Sequence, residues 1–372
     1  MGITRKSLRG GVHRHSHGRN NDGQICCKGL IWRKGRAEVD GKLPWTAPSL
    51  DALLRGATER VPVHSSDAKS GASFEKLIID GRQCFLKLVS ADDDWIMRVT
   101  GNRQWEFQVW RAGLYHSAPS VIDHAMIGMA LDDSSDVPRL AMLMHDRSAD
   151  LVPPGDDLVS SSQHAVFIRH LAIMHATNLG WHDDLGLYPL ARRPLFFAPA
   201  TIAPELARED VSPTLLVAER GWKLLAERDA ALFELVSEVH RNPDRVAELL
   251  TETPQTFIAG DWKMGNLGSR PSGETVVLDW AYPGEAPPAW ELAWYLALNR
   301  ARIPESKADT IARYRQALHD VGVDADPWWQ RQLDLCLLAM AATMGWEKAV
   351  GDADELAWWS EHAQQAAASW LS

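Results

Sequence analysis

The stretch AGDWKMGNLG (residues 259–268), followed closely by VVLDWA (276–281), decides how this chain is read. An aspartate, a lysine and an asparagine stand in an otherwise small and apolar turn, and a second aspartate, Asp279, ends a hydrophobic run. A solvated loop tolerates any polar residues, whereas a hard divalent cation needs carboxylate and amide oxygens at controlled separations. With Asn266 five residues after Asp261, a tight loop can turn both side chains into one cleft. A hairpin through GETVVLDW (273–280) then returns Asp279 to the same place. Asp and Asn are common in ordinary turns, so the strand ending in Asp279-Trp280 gives the spacing its weight.

Working outward, 372 residues at 45% hydrophobic and 24% charged suffice to bury a sizeable core, and they predict a soluble chain of two lobes or domains. No apolar run approaches the roughly 20 residues that span a bilayer, and the first residues lack the apolar block of a secretory signal; a cytoplasmic protein with no membrane partner is expected. The four cysteines are the adjacent Cys26 and Cys27 and the isolated Cys84 and Cys336, a usage that suits reduced thiols and predicts no structural disulfide.

Charge is uneven. Residues 1–38 hold nine Lys or Arg against Asp22 and Glu38, a balance of +7, so with a net charge of −10 the remainder carries −17. The basic segment has no apolar period, and residues 1–44 are read as a disordered tail. A nucleic-acid arm, or a metal site from His13, His15, His17 and the Cys26 pair, is the competing reading, but neither has a recognisable ligand spacing. The acidic body argues against nucleic acid as a partner and is compatible with a cationic small substrate.

The pattern changes near residue 146. Residues 45–145 contain short β-prone runs, SFEKLIID, RQCFLKLV, SVIDHAMIGMAL and RLAMLM, the first two meeting at Asp80-Gly81, a dipeptide suited to a hairpin turn. One helical stretch, NRQWEFQVWRAGLY with Asn102 as its cap, interrupts an expected antiparallel sheet. Residues 146–372 open on a Pro, Gly and Asp-rich linker and then turn helical, including one long run, SPTLLVAERGWKLLAERDAALFELVSEVH. The β-prone pair around Asp261 and Asp279 is the exception. The fold class is therefore α+β, with a small sheet lobe carrying one main helix and a larger helical lobe.

The side chains gathered so far suit phosphoryl transfer. An acceptor hydroxyl attacking a nucleotide γ-phosphate needs a carboxylate to take its proton and oxygen ligands to hold magnesium against the phosphates. The run IAGDWKMGNL…VVLDWAYPGEAPPAWELA resembles the aminoglycoside phosphotransferase and choline kinase group of the protein-kinase-like fold, whose pattern is HGDxxxxN, then a strand ending IDW, then a helix opening PAxDLA. The order of the smaller lobe, LAMLMHD as a hinge and LAIMHA extend the resemblance over about residues 60–345. It implies an ATP-dependent enzyme that phosphorylates a hydroxyl of a small molecule, with ATP and Mg2+ as cofactors. Amino sugars, aminoglycosides, amino alcohols and other sugars are the candidate acceptors.

Residue by residue, the resemblance makes Asp261 the catalytic base, Asn266 and Asp279 the magnesium ligands, and Lys263 a cation facing the transferring phosphate. Lys87 in FLKLV becomes the lysine that grips the phosphates, with Glu106 as its partner, and Met144 falls in the hinge that borders the nucleotide. Ser70, Gly71 and Ser73 occupy the place of a phosphate-covering turn, whose backbone and hydroxyl donors suit phosphate. A solvated lysine at 263, an edge lysine at 87, a surface acid at 106 and an ordinary hairpin turn at 70–73 are the plain alternatives. Two departures stand out: Ala259 replaces the family's histidine, and Glu291 replaces the usual aspartate of the closing helix, one methylene longer for bracing the catalytic loop. His175 reads as a core histidine, and Asp352, Asp354, Glu355 and Glu361 beside the late tryptophans as either an amine-receiving patch or a solvated face. The different class of function left open is a nucleotide-binding pseudokinase acting as a regulatory module.

Overall fold

A computed structural model describes residues 45–63, 70–133 and 136–371. The basic tail, with Cys26, Cys27 and the His13, His15, His17 group, lies outside the described residues.

The smaller lobe is a six-stranded sheet in the order β1-β6-β7-β4-β3-β2. Its strands are β1 (Thr46–Ala47), β2 (Thr58–Val63), β3 (Ser73–Ile79), β4 (Arg82–Ser90), β6 (Met126–Asp132) and β7 (Arg139–His145). The β3–β4 turn is the expected one: Asp80 and Gly81 both have positive φ, 49° and 72°, which matches the twist of the flanking strands. The pairs are antiparallel as read, except that β1 runs parallel to β6. Side chains alternate along β4. Cys84 and Leu86 enter a small core with Leu53 of α1 (Leu50–Leu53), while the face of Val89 joins the main core. Lys87 shares that second face and thereby points at the cleft.

Two helices follow β4 where one was expected. Trp95–Thr100 forms α2 ahead of the anticipated α3 (Trp105–Arg111). Asp94 caps α2 by accepting from Met97 N–H at 3.0 Å, and Gly101 ends it in the left-handed region at φ 70°. Asn102 accepts from Trp105 N–H at 2.9 Å and so satisfies the first amide of α3, but the N-cap position itself is Gln104, in the left-handed region at φ 55°.

The larger lobe comprises α4 (Ser161–Thr177), α5 (Pro199–Leu206), α6 (Pro213–Arg228), α7 (Ala230–Arg241), α8 (Pro243–Thr251), α9 (Pro288–Leu298), α10 (Lys307–Asp320), α11 (Trp329–Val350) and α12 (Ala353–Leu371). The long run taken as one helix breaks at Asp229, whose side chain accepts from Leu232 N–H at 2.9 Å and starts α7 afresh. Burial on nearly every side makes α9 and α11 the centre of the lobe.

Two small sheets carry the motif. Strand β8 (Thr256–Ile258) pairs with β11 (Gly284–Ala286). Strand β10 (Thr275–Val277) lies between β9 (Leu267–Ser269) and β5 (Ile122–Asp123), antiparallel to the first and parallel to the second. Residues 122–123 of the sheet-rich half thus complete a sheet of the helical half.

Candidate active site

Asp261 follows β8 through Ala259 and Gly260. Gly260 has φ 87°, and a Cβ there would stand 2.0 Å from the Tyr282 carbonyl oxygen, so only glycine lets the two loops close. Its N–H donates to Glu291 Oε1 at 2.6 Å, and Glu291 Oε2 meets His175 Nε2 at 2.9 Å. His175 Nδ1 in turn meets the Tyr314 hydroxyl at 2.5 Å. The longer acid at 291 therefore does brace the loop, and His175 is a buried core histidine with both ring nitrogens engaged.

The Asp261 carboxylate is buried at 3% exposure. Its Oδ2 accepts from Lys263 Nζ at 2.7 Å and Asn266 Nδ2 at 2.9 Å, and its Oδ1 accepts from Trp294 Nε1 on α9 at 2.9 Å. Burial pushes its proton affinity up, while the Lys263 charge works against that shift. Three donors fix both oxygens, so the carboxylate keeps one orientation. Since the Asn266 amide nitrogen is committed to Asp261, its amide oxygen is the atom that can face a metal.

The β9–β10 hairpin returns Asp279 as expected, at φ 56°. Its Oδ1 accepts from Lys87 Nζ at 2.6 Å across 192 residues of sequence, and its side chain stays a third exposed at 33%. Burial acts to raise the Asp279 carboxyl, but the Lys87 and Lys263 charges outweigh it and hold the group below its ordinary value. Carboxylate and amide oxygens from Asp279 and Asn266, kept ionised or neutral by these surroundings, fit a hard cation such as magnesium better than a soft one.

Other residues singled out in the sequence fall less simply. Lys87 does face the cleft, but its ion pair is with Asp279 rather than Glu106. Glu106 is buried within electrostatic range of Lys87, accepts from Asn102 Nδ2 at 3.3 Å, and is pushed up to about 7 by burial. Met144 is buried near the end of β7, in register with Phe85 and Met126. Ser73 opens β3 opposite Leu88. The Ser70 hydroxyl is near enough to Asp94 to favour its ionised form. Gly71, at φ 109°, packs so tightly that a Cβ would lie 2.0 Å from Asp93 O.

Two of the late acids are already paired. Asp352 pairs with Arg300 at 3.1 Å, and Glu355 lies between Lys307 at 2.5 Å and Lys348 at 3.5 Å. Asp354 and Glu361 are solvent-exposed. Cys84 and Cys336 are free and buried.

Sequence reasoning missed three residues. Trp294 holds Asp261; nothing in AWELAWY distinguishes it from a packing tryptophan. Asp94 is a buried carboxylate near Lys87 and Asp279, legible only as a helix cap before WIMRVT. Arg193 is buried, donating to the carbonyls of Tyr282 at 3.0 Å and Tyr188 at 3.1 Å, and thereby pins the loop that Gly260 abuts.

These lobes and this cleft define the two-lobe protein-kinase-like fold. The chain is structurally similar to the choline kinase LicA from Streptococcus pneumoniae, at 12% identity over 86% of this chain and 96% of that one, with a TM-score of 0.50. It is also similar to a microcompartment-associated aminopropanol kinase, at 14% identity over 84% of this chain and 92% of that one, again with a TM-score of 0.50. The sequence matches no protein-family model and no curated protein. At these identities the likeness establishes the fold. Among the described residues no helix is long and apolar enough to cross a membrane.

Proposed function

We propose that this protein is a cytoplasmic ATP-dependent phosphotransferase that phosphorylates a hydroxyl group of a small molecule. The observation that carries the reading is the buried Asp261 carboxylate, fixed by Lys263, Asn266 and Trp294 and set beside an Asp279–Lys87 ion pair that joins the two lobes. Asp261 orients the acceptor hydroxyl and takes its proton as the acceptor oxygen bonds to the γ-phosphorus and the bond to the departing ADP oxygen breaks. Asn266 and Asp279 would hold magnesium, which would supply charge neutralisation to the phosphates. Lys87 binds the phosphates from the sheet lobe, and Lys263 adds a second positive charge facing the transferring phosphate.

Amino alcohols, amino sugars, aminoglycosides and other sugars are the acceptors to screen, and the acidic balance of the chain suits a cationic one. Buried free thiols at Cys84 and Cys336 suit a reducing compartment. ADP release across an acceptor library, against a control without acceptor, tests the proposal, and acceptor-stimulated turnover is expected. Magnesium-nucleotide binding with no turnover anywhere in the library would instead favour a pseudokinase, the reading that the buried Ala259 in place of a histidine motivates.

A further inference from the structure

The phosphate turn and the catalytic loop belong to different lobes, and α2 is tethered to both sides of the gap. Toward the sheet lobe, Trp95 N–H donates to Ser70 O at 3.1 Å, the Ser70 hydroxyl is near enough to favour the ionised Asp94 carboxylate, and Gly71 sits so close to Asp93 that a Cβ there would stand 2.0 Å from its carbonyl oxygen. Toward the helical lobe, Arg98 grips Glu205 of α5 with two parallel hydrogen bonds, Nε to Oε1 at 2.8 Å and Nη2 to Oε2 at 2.7 Å. Its remaining nitrogen, Nη1, donates to the carbonyls of Ala91 at 2.7 Å and Asp92 at 2.9 Å, so the guanidinium ties the 91–92 loop to the same bridge.

Ring contacts run in parallel with the ion pair. Trp95 stacks on Phe196 with centroids 6.2 Å apart, Phe196 meets Tyr282 at 5.0 Å, and Tyr282 meets Trp294 at 5.7 Å. Trp294 is the donor to Asp261. A six-residue helix holds too few internal hydrogen bonds to fix its own position, so these tethers decide where α2 stands. Glu205 is buried, and a fork-to-carboxylate pair of this kind is orienting in a way that a solvated surface pair is not.

We propose that α2 is a positioning strap: the Arg98–Glu205 bridge, acting through Asp94 and Trp95, sets where the Ser70–Gly71 turn stands relative to Asp261 across the cleft. The strap is a claim about these residues alone, and its consequence for turnover rests on the phosphotransferase reading.

Glu205→Ala cuts the bridge between lobes while leaving Arg98 its bonds to Ala91 and Asp92, and Glu205→Gln keeps the shape with a weaker acceptor. Amide hydrogen exchange at Ser70–Ser73 and Trp95–Thr100 should quicken roughly tenfold in Glu205→Ala and less in Glu205→Gln. Exchange in α11 should stay as in the wild type. Wild-type exchange at Ser70–Ser73 in Glu205→Ala, or an equal quickening throughout the protein, would overturn the strap. With an accepted substrate, kcat should fall roughly tenfold while the Kd for magnesium-ATP moves by less than about threefold. An unchanged kcat would remove the alignment role. If magnesium-ATP changed exchange nowhere in the wild-type protein, the phosphotransferase reading would fail and the Ser70–Ser73 result would still decide the strap.

Discussion

Replacing Trp294 by Phe tests whether Asp261 is a base whose proton affinity is set by its neighbours. Phenylalanine keeps an aromatic ring against Tyr282, 5.7 Å away by centroid, and Phe196, but removes the Nε1–H that donates to Asp261 Oδ1 at 2.9 Å. A hydrogen bond to a charged group contributes about 1.5–3 kcal/mol. The bond favours the ionised carboxylate, so its loss should raise the Asp261 carboxyl by about 1–2 pH units, at 1.36 kcal/mol per unit. Burial already raises that carboxyl, so the added shift brings its titration closer to neutrality. The acid limb of kcat should therefore move to higher pH by about that amount, with turnover lost on the acid side and recovered as pH rises. The assay is ADP release with an accepted substrate at saturating magnesium-ATP between pH 5 and 9, beside calorimetric nucleotide binding, which should be unchanged. A pH-rate profile that superimposes on the wild type, or one that moves acid-ward, would refute the assignment of Asp261 as the base.

The other side chains of the cleft should fail in different ways. Asp261→Asn should lower turnover by ~10² or more while magnesium-ATP still binds, as steady-state rates beside a nucleotide titration would show. Asp279→Ala should weaken nucleotide binding in a way that excess magnesium partly restores; Lys87→Ala should weaken it with no such rescue, and titrations at low and high magnesium separate the two. Glu106, held at about 7 in the folded protein, binds a proton more tightly folded than unfolded, so its contribution is favourable at low pH and declines as pH rises from about 4.5 through 7. Glu106→Gln should accordingly stabilise the protein at pH 8, by at most about 3 kcal/mol, and by little at pH 5, as denaturant melts at the two values would test. Gly260→Ala, forced to φ 87° against the Tyr282 carbonyl, should lose about 3 kcal/mol or more of stability, and a wild-type melting temperature would contradict the close approach described here.

The loop that brings Asp261, Asn266 and Asp279 together was legible because its demands are local. Asp261, Asn266 and Asp279 sit at separations that one loop and one hairpin satisfy, and Asp80-Gly81 announced its turn through a backbone requirement that few other residue pairs meet. Partners set by tertiary closeness were not legible. Lys87 was matched to Glu106 because the resemblance implies a helix glutamate as its partner, and Glu106 is the one acid of that helix, yet the ammonium reaches Asp279, a residue 192 positions away. Trp294 resembles its neighbours in a helix buried on all sides, and nothing in its flanking sequence marks the indole that donates to Asp261. The helix α2 went unread because a six-residue segment, WIMRVT, has no period long enough to detect, although Asp94 and Gly101 bracketed it. The long run before residue 241 concealed a break because Asp229 acts through its side chain as a cap, not as a helix-breaking residue.

The parallel pairing of β5 with β10 bears on how the molecule can be divided. Thr275 and Val276 are fully buried between β5 and β9, and the Thr275 hydroxyl also meets His170 Nδ1 of α4 at 2.8 Å. A fragment beginning after residue 145 would lack Ile122 and Asp123, leaving one side of β10 without its ladder and an apolar strand open to any other chain. Proteolytic nicking near residue 146 should thus give two pieces that stay together, and the helical piece produced alone should self-associate. The visible division into a sheet half and a helical half is a division of shape, and neither half can be inherited, swapped or grafted without the other.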